Sequence, residues 1–180
     1  MNGIDRLRFY RRAPWFCLVF AAVPGSDCAQ TVPGGMPPGP GVMRSSPTAT
    51  ELFTLITQTD PFQQWAQFPD RQGTQPSALP HGPLSRVFAN DTVMDALNNF
   101  TGALPAGAII VKENVGDSPQ VTEAVLTVMW KVPGFDPENS DWFWANLSTQ
   151  GDVRAEGRVQ GCISCHGGVR ANDFVFVHQF

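Results

Sequence analysis

With 180 residues and 42% hydrophobic content, the chain has the length and the apolar surface for one ordinary domain with a buried core. Sixteen Pro and seventeen Gly disfavour a helical bundle, while thirteen Phe and five Trp against one Tyr point to a dry aromatic interior that suits an apolar cofactor. A net charge of −4 with only twelve Lys plus Arg provides no basic stripe to neutralise phosphates, which argues against nucleic acid as a partner.

Residues 1–29 read as a secretory signal peptide, with Arg6, Arg8, Arg11 and Arg12 ahead of an apolar run at 16–23 that is too short to span a bilayer. Cleavage after Gly25 or Ala29 would leave a mildly acidic mature chain without a membrane span, expected in the bacterial periplasm or secreted. The Arg11-Arg12 pair lacks the surroundings of a twin-arginine signal, and the residues before Cys28 are a poor approach to a lipid-bearing cysteine. Cys17 and Cys28 leave with the signal, so Cys162 and Cys165 are the cysteines of the mature chain.

Residues 30–47 are rich in Pro and Gly, can bury little, and read as a flexible segment ahead of a domain at 48–180. Thr50 is the expected N-cap of a helix carrying Leu52, Phe53, Leu55 and Ile56 to about Thr59, where Asp60-Pro61 breaks it. Phe62, Trp65 and Phe68 recur every third residue as a second short helix before Pro69. Residues 71–83 are a long loop containing His81, 84–90 a strand, and Asp91 the cap of a helix bearing Val93, Met94 and Leu97.

Beyond Ala106 the character changes to short runs rich in Val, Ile, Phe and Trp at 106–112, 124–132, 142–147 and 174–177, bounded by Pro and Gly, which read as antiparallel strands. In 124–131 alternation sends Leu126, Val128 and Trp130 to one face and Val125, Thr127, Met129 and Lys131 to the other. Both faces are largely apolar, so both must be covered: the expected fold is α+β, a mainly antiparallel sheet with the N-terminal helices on one side and a cofactor on the other. A four-helix bundle is the competing architecture.

The chemistry lies near the C-terminus, in Cys162-Ile163-Ser164-Cys165-His166. Two residues between the cysteines let both sulfurs reach the two vinyl groups of one haem, and the adjacent His166 can then bind its iron, with the other ring nitrogen held by a protein group. A short-loop disulfide and a redox dithiol are the alternatives; the export signal, the lack of a βαβ pattern and the adjoining histidine favour a single covalent haem c. No Met follows His166 and His178 is the one downstream candidate ligand, so the sixth position is either open to a small ligand or filled from upstream by His81 or Met129. The first case describes a binder or converter of small molecules, the second an electron-transfer cytochrome.

Several stretches together resemble the cytochrome P-460 family, which includes the cytochromes c′-beta: Trp65, His81-Gly82, Asn90-Asp91, the runs 105–113, 129–134 and 141–144, the haem motif, and Asp173 to Phe176. The resemblance covers about residues 51–180. It implies a c-haem packed against an antiparallel sheet, a small gaseous or nitrogenous ligand such as nitric oxide or hydroxylamine, and for some members hydroxylamine oxidation, which would make this chain an enzyme. It also implies a periplasmic redox partner and, by analogy with paired members, a homodimer. Lys112 matches the lysine that some members join to the haem ring; as a residue it either sits near the sheet's centre, where a desolvated amine becomes a nucleophile, or snorkels from a strand end.

The resemblance places Thr127 near the distal carboxylate of the hydroxylamine-oxidising members, leaving Glu113, Glu123 or His81 as substitute proton acceptors. Thr127, Met129, Trp130 and His81 are thus the expected distal pocket, with Trp130, Trp142, Phe143 and Trp144 either walling the haem or packing an ordinary core.

Overall fold

A computed structural model describes residues 46–78, 80–116 and 125–180. The signal peptide and most of the Pro/Gly-rich segment, together with Glu123, lie outside the described residues.

Helix α1 (Ala49–Thr54) is capped by Thr48, not by Thr50. Thr48 Oγ1 accepts from the Glu51 amide at 3.2 Å while the Thr48 amide donates to Glu51 Oε2 at 3.1 Å, a reciprocal box that needs the Glu three residues on. The helix then widens into a π turn, Leu55–Thr59, closed by the Asp60 amide on the Leu55 carbonyl at 2.8 Å. Pro61 ends it because it has no amide to continue the ladder. The expected second helix shrinks to one 3₁₀ turn, Phe62–Gln64, after which Ala66 bridges Ala89. The every-third spacing of Phe62 and Phe68 has another cause: the chain rounds the sheet, so Phe62 packs on one face and Phe68 on the other.

Six strands form one antiparallel meander in chain order: β1 (Gln75–Pro76), β2 (Leu84–Ala89), β3 (Ile109–Val115), β4 (Val125–Lys131), β5 (Trp142–Ser148) and β6 (Val153–Gly157). That excludes the four-helix alternative and gives the α+β class. Between β2 and β3 lies α2 (Asp91–Ala96), whose cap is Asn90, with Oδ1 accepting from the Val93 amide at 3.3 Å. The β1 and β6 strands escape the sequence pattern because one is two residues long and the other, Val-Arg-Ala-Glu-Gly, is polar and mostly exposed at the sheet's edge. Gly151, at φ +96°, turns β5 into β6 beneath the Phe53 ring, where a Cβ would stand 2.8 Å from a ring carbon.

The two faces hold separate cores. Ala49, Leu52, Ile56 and Phe62 cover Ile109, Val111, Leu126, Val128, Phe143 and Leu147 on the helix side. On the other side Val87, Ile110, Met129, Trp142 and Trp144 meet Phe68, Val93, Ile163, Phe174 and Val175. The expected strand at 174–177 does not form: its segment lies across that second face rather than along an edge, so it has no ladder to join. Asp173 and Phe174 take left-handed backbone at φ 50° and 67°, and Asn172 Nδ2 donates to the Val175 and His178 carbonyls at 2.6 and 2.7 Å. No helix among the described residues is long and apolar enough to cross a membrane.

Candidate functional site

A cavity of about 610 Å³ opens on the second face of the sheet, within the range of pockets that enclose a small-molecule cofactor. Strand alternation supplies its floor: Val87 of β2, Ile110 and Lys112 of β3, Thr127 and Met129 of β4, and Trp144 of β5. The wall opposite comes from helix α3 (Gln160–His166) and Phe176, and the rim from Pro76, Ser77, Ala78, Pro80 and His81.

Helix α3 turns Cys162, Cys165 and His166 toward this one space, with Ile163 anchored in the core beneath. The cysteines are free thiols; burial, with Cys165 alongside, raises the Cys162 pKa. His166 is fixed from three sides. Its Nδ1 lies 2.7 Å from the Phe174 carbonyl, and Trp144 and Phe176 stand edge-on at centroid distances of 4.8 and 5.2 Å. Burial lowers its pKa against the pull of that carbonyl, and Lys112 lowers it further. The ring is therefore held neutral with Nδ1 as donor, and Nε2 is left without a hydrogen-bonding partner among the described residues.

The carbonyl that orients His166 is placed by a buried ion pair. Lys131 Nζ meets Asp173 at 2.7 and 2.5 Å, Asp173 Oδ2 also accepts from the Leu104 amide at 2.7 Å, and Trp142 Nε1 donates to the Asp173 carbonyl at 2.9 Å. These contacts hold Asp173 and Phe174 in their left-handed conformation. The sequence required a partner on the second ring nitrogen without identifying it, because a backbone carbonyl carries no residue signature.

Lys112 stands in mid-strand, not at a strand's end, since β3 continues to Val115. It lines the cavity, and burial, with Arg71 nearby, pushes its pKa down to about 8. His81 lines the rim; burial first, then Lys112 and His166, push it down to about 4. Its Nδ1 is 3.4 Å from Thr127 Oγ1, and its ring stands perpendicular to that of His166 at a centroid distance of 6.2 Å.

Other expected residues lie elsewhere. Trp130 is not in the pocket: alternation along β4 sends it to the helix side, edge-on to Phe143 at 6.0 Å, and Phe143 shares that face. Trp142 is buried in the core of the cavity side, so of the four aromatics only Trp144 lines the cavity. Glu113 points to the helix side and pairs with Arg86 at 2.8 Å. His178 pairs with Asp70 at 2.9 Å and stacks on Phe68, outside the cavity lining. Two lining residues, Arg71 and Ser77, carry no signal in the sequence, lying in what reads as a featureless loop.

The donor set tests the fit of a haem. Two thiols and an oriented neutral imidazole share one wall of a largely apolar space, while Trp144 Nε1, Arg71 Nε and Ser77 Oγ, on residues that line it, are buried polar atoms without hydrogen-bond partners among the described residues. No group of three or more His, Cys, Asp or Glu side chains among the described residues is placed to hold a bare metal ion. No curated protein matches the chain. The profile of the cytochrome P-460 family matches residues 59–177, from the end of the first helix through the segment past the haem motif, and over that span the chain belongs to the cytochrome P-460 family of haem proteins.

Proposed function

We propose that the mature chain is an exported cytochrome carrying one covalent haem c, and that it binds a small nitrogen oxide, nitric oxide first, in the cavity beside the sheet. The observation that carries this reading is the convergence of Cys162, Cys165 and His166 on one cavity with His166 Nδ1 already committed to the Phe174 carbonyl. Cys162 and Cys165 would hold the haem through thioether bonds and His166 Nε2 its iron; when bound, the haem supplies a redox-active iron that takes diatomic ligands. Arg71, whose Nη2 donates to the Pro76 carbonyl at 3.1 Å, would be the cation to meet the haem's carboxylates, and Lys112 would be the amine for a bond to the ring, helped by its lowered pKa.

The residues divide the rest of the work. Val87, Ile110, Met129 and Trp144 exclude water, which favours an uncharged ligand over a charged one. No carboxylate lines the cavity among the described residues, and the resemblance puts Thr127, which does line it, near the position of the proton acceptor of the hydroxylamine oxidisers. Binding of nitric oxide is therefore the better reading than oxidation of hydroxylamine, with an electron-transfer cytochrome as the alternative.

The test is mass spectrometry and the ferrous optical spectrum of the full chain produced with a haem-attachment system. One added haem, and a Soret band that moves on adding nitric oxide, are expected. A band already broadened and red-displaced, and restored to an ordinary c-haem band by Lys112→Ala, would place a lysine bond on the ring and reopen hydroxylamine oxidation. No added haem mass would overturn the reading; a spectrum indifferent to nitric oxide would leave electron transfer.

A further inference from the structure

We propose that His81 is the second protein ligand of the iron in the resting protein, opposite His166, and that small ligands enter by displacing it. The inference rests on the proposed haem function and adds to it an occupant for the position where the ligand arrives.

Three observations carry it. The first is spacing. With imidazole–metal bonds of about 2.0–2.1 Å and a ring centroid about 1.1 Å behind the ligating nitrogen, two imidazoles facing one iron have centroids about 6.2–6.4 Å apart. The His81 and His166 centroids are 6.2 Å apart. The second is the way both rings are held. Each turns Nδ1 to a protein oxygen, the Phe174 carbonyl at 2.7 Å for His166 and the Thr127 hydroxyl at 3.4 Å for His81, and among the described residues neither Nε2 has a hydrogen-bonding partner. A ligating histidine characteristically has its remote nitrogen engaged and its other nitrogen free.

The third is the lack of a better competitor. Met129 lines the same space but is packed into the sheet core at 8% exposure, and Lys112, the other donor lining it, springs from mid-strand on the sheet floor and is the amine assigned above to the haem ring. His81 instead sits in a turn closed by its own amide on the Ala78 carbonyl at 3.1 Å and by the Ser77 amide on the Pro83 carbonyl at 2.8 Å, with Gly82 next in the chain at φ +79°. The two imidazoles are thus held unequally. His166 is braced by a short hydrogen bond and two aromatic rings, whereas His81 hangs from the loop joining β1 to β2 by a 3.4 Å contact, so His81 is the one that yields.

The experiment uses the full haem-loaded chain. Haem content and mass report the attachment on Cys162 and Cys165; the ferric optical, electron-paramagnetic and near-infrared magnetic circular dichroism spectra report the sixth ligand. A low-spin wild-type protein with the near-infrared signature of two imidazoles is expected. His81→Ala should be high-spin and return to low-spin with added imidazole. Nitric oxide should bind the wild type at a rate that saturates with concentration, set by His81 release. The variant's rate should rise linearly and exceed the plateau by on the order of tenfold or more, because the competent state no longer waits on that release. A haem-loaded wild type that is high-spin, a non-imidazole signature, or a His81→Ala spectrum identical to wild type would overturn the inference while leaving the haem reading intact. Absence of attached haem would overturn both. If His81→Ala fails to fold, a two-imidazole wild-type signature that survives His178→Ala decides for His81, and one lost in His178→Ala overturns the inference.

Discussion

Lys112 and Lys131 are the two lysines of the chain, and the fold treats them differently. Lys131, 7% exposed, is bound to Asp173, whereas Lys112 has no ion-pair partner among the described residues and its pKa falls to about 8. An amine-acylating reagent applied to the chain before haem attachment should therefore modify Lys112 with a pH midpoint near 8 and leave Lys131 unmodified, as peptide mapping would show. The same shift has a linked effect on stability. Between about 8 and the ordinary value of 10.5 the unfolded chain holds a proton at this residue that the folded chain has released, so raising the pH through that window stabilises the fold. Urea denaturation across the window should show that slope, and Lys112→Met should reduce it, Lys131, whose pKa burial also lowers, supplying a slope of the same sign. That Lys112 shares a face with Ile110 is legible from alternation in β3. Its desolvation is not, because that depends on the Arg71 loop and the C-terminal segment closing around it.

At the level of elements, the haem-motif helix α3 is seven residues long and has no side-chain cap, so its direction is set by the segment C-terminal to it. Asp173 is the fastening: its carboxylate takes Lys131 and the Leu104 amide, and its carbonyl takes Trp142 Nε1. Asp173→Ala would leave Lys131 buried and unpaired, at a cost of about 3–5 kcal/mol in chemical denaturation. It should also loosen the Phe174 carbonyl from His166, seen as heterogeneity in the iron's spectrum. Lys131→Met together with Asp173→Ala should recover much of the stability and little of the spectral homogeneity, since a buried pair removed as a unit costs less than one partner alone. The strand preferences of Phe, Val, Phe and Val predict a strand at 174–177; the positive φ at Asp173 and Phe174, imposed by buried partners, decides otherwise. Helix α1 is the opposite case, where Thr48 and Glu51 carry the capping box in the sequence itself and the true cap lies only two residues before Thr50.

The described residues form a sheet with two separate cores, one structural and one built around the cavity. Leu126→Ala, on the helix side, should cost about 2–5 kcal/mol and lower the melting temperature by on the order of 10 °C, with the haem spectrum of the folded protein unchanged. A spectral change in that variant would mean that the two faces are coupled through the sheet. The strand periodicity of β2 to β5, the need to cover both faces, the Cys-x-x-Cys-His motif, Lys112 sharing a face with Ile110, and Trp130 facing away from Thr127 and Met129 are all legible in the chain, because each is local: a period of two, or a spacing of two residues between cysteines. That Lys112 and Thr127 pair across β3 and β4, that Trp144 lines the site, that Glu113 is bound to Arg86, and that His81 from a loop faces His166 from a helix come from the tertiary structure. Those outcomes depend on which face each covering segment chooses and on contacts between residues far apart in the chain, and neither propensity nor spacing encodes them.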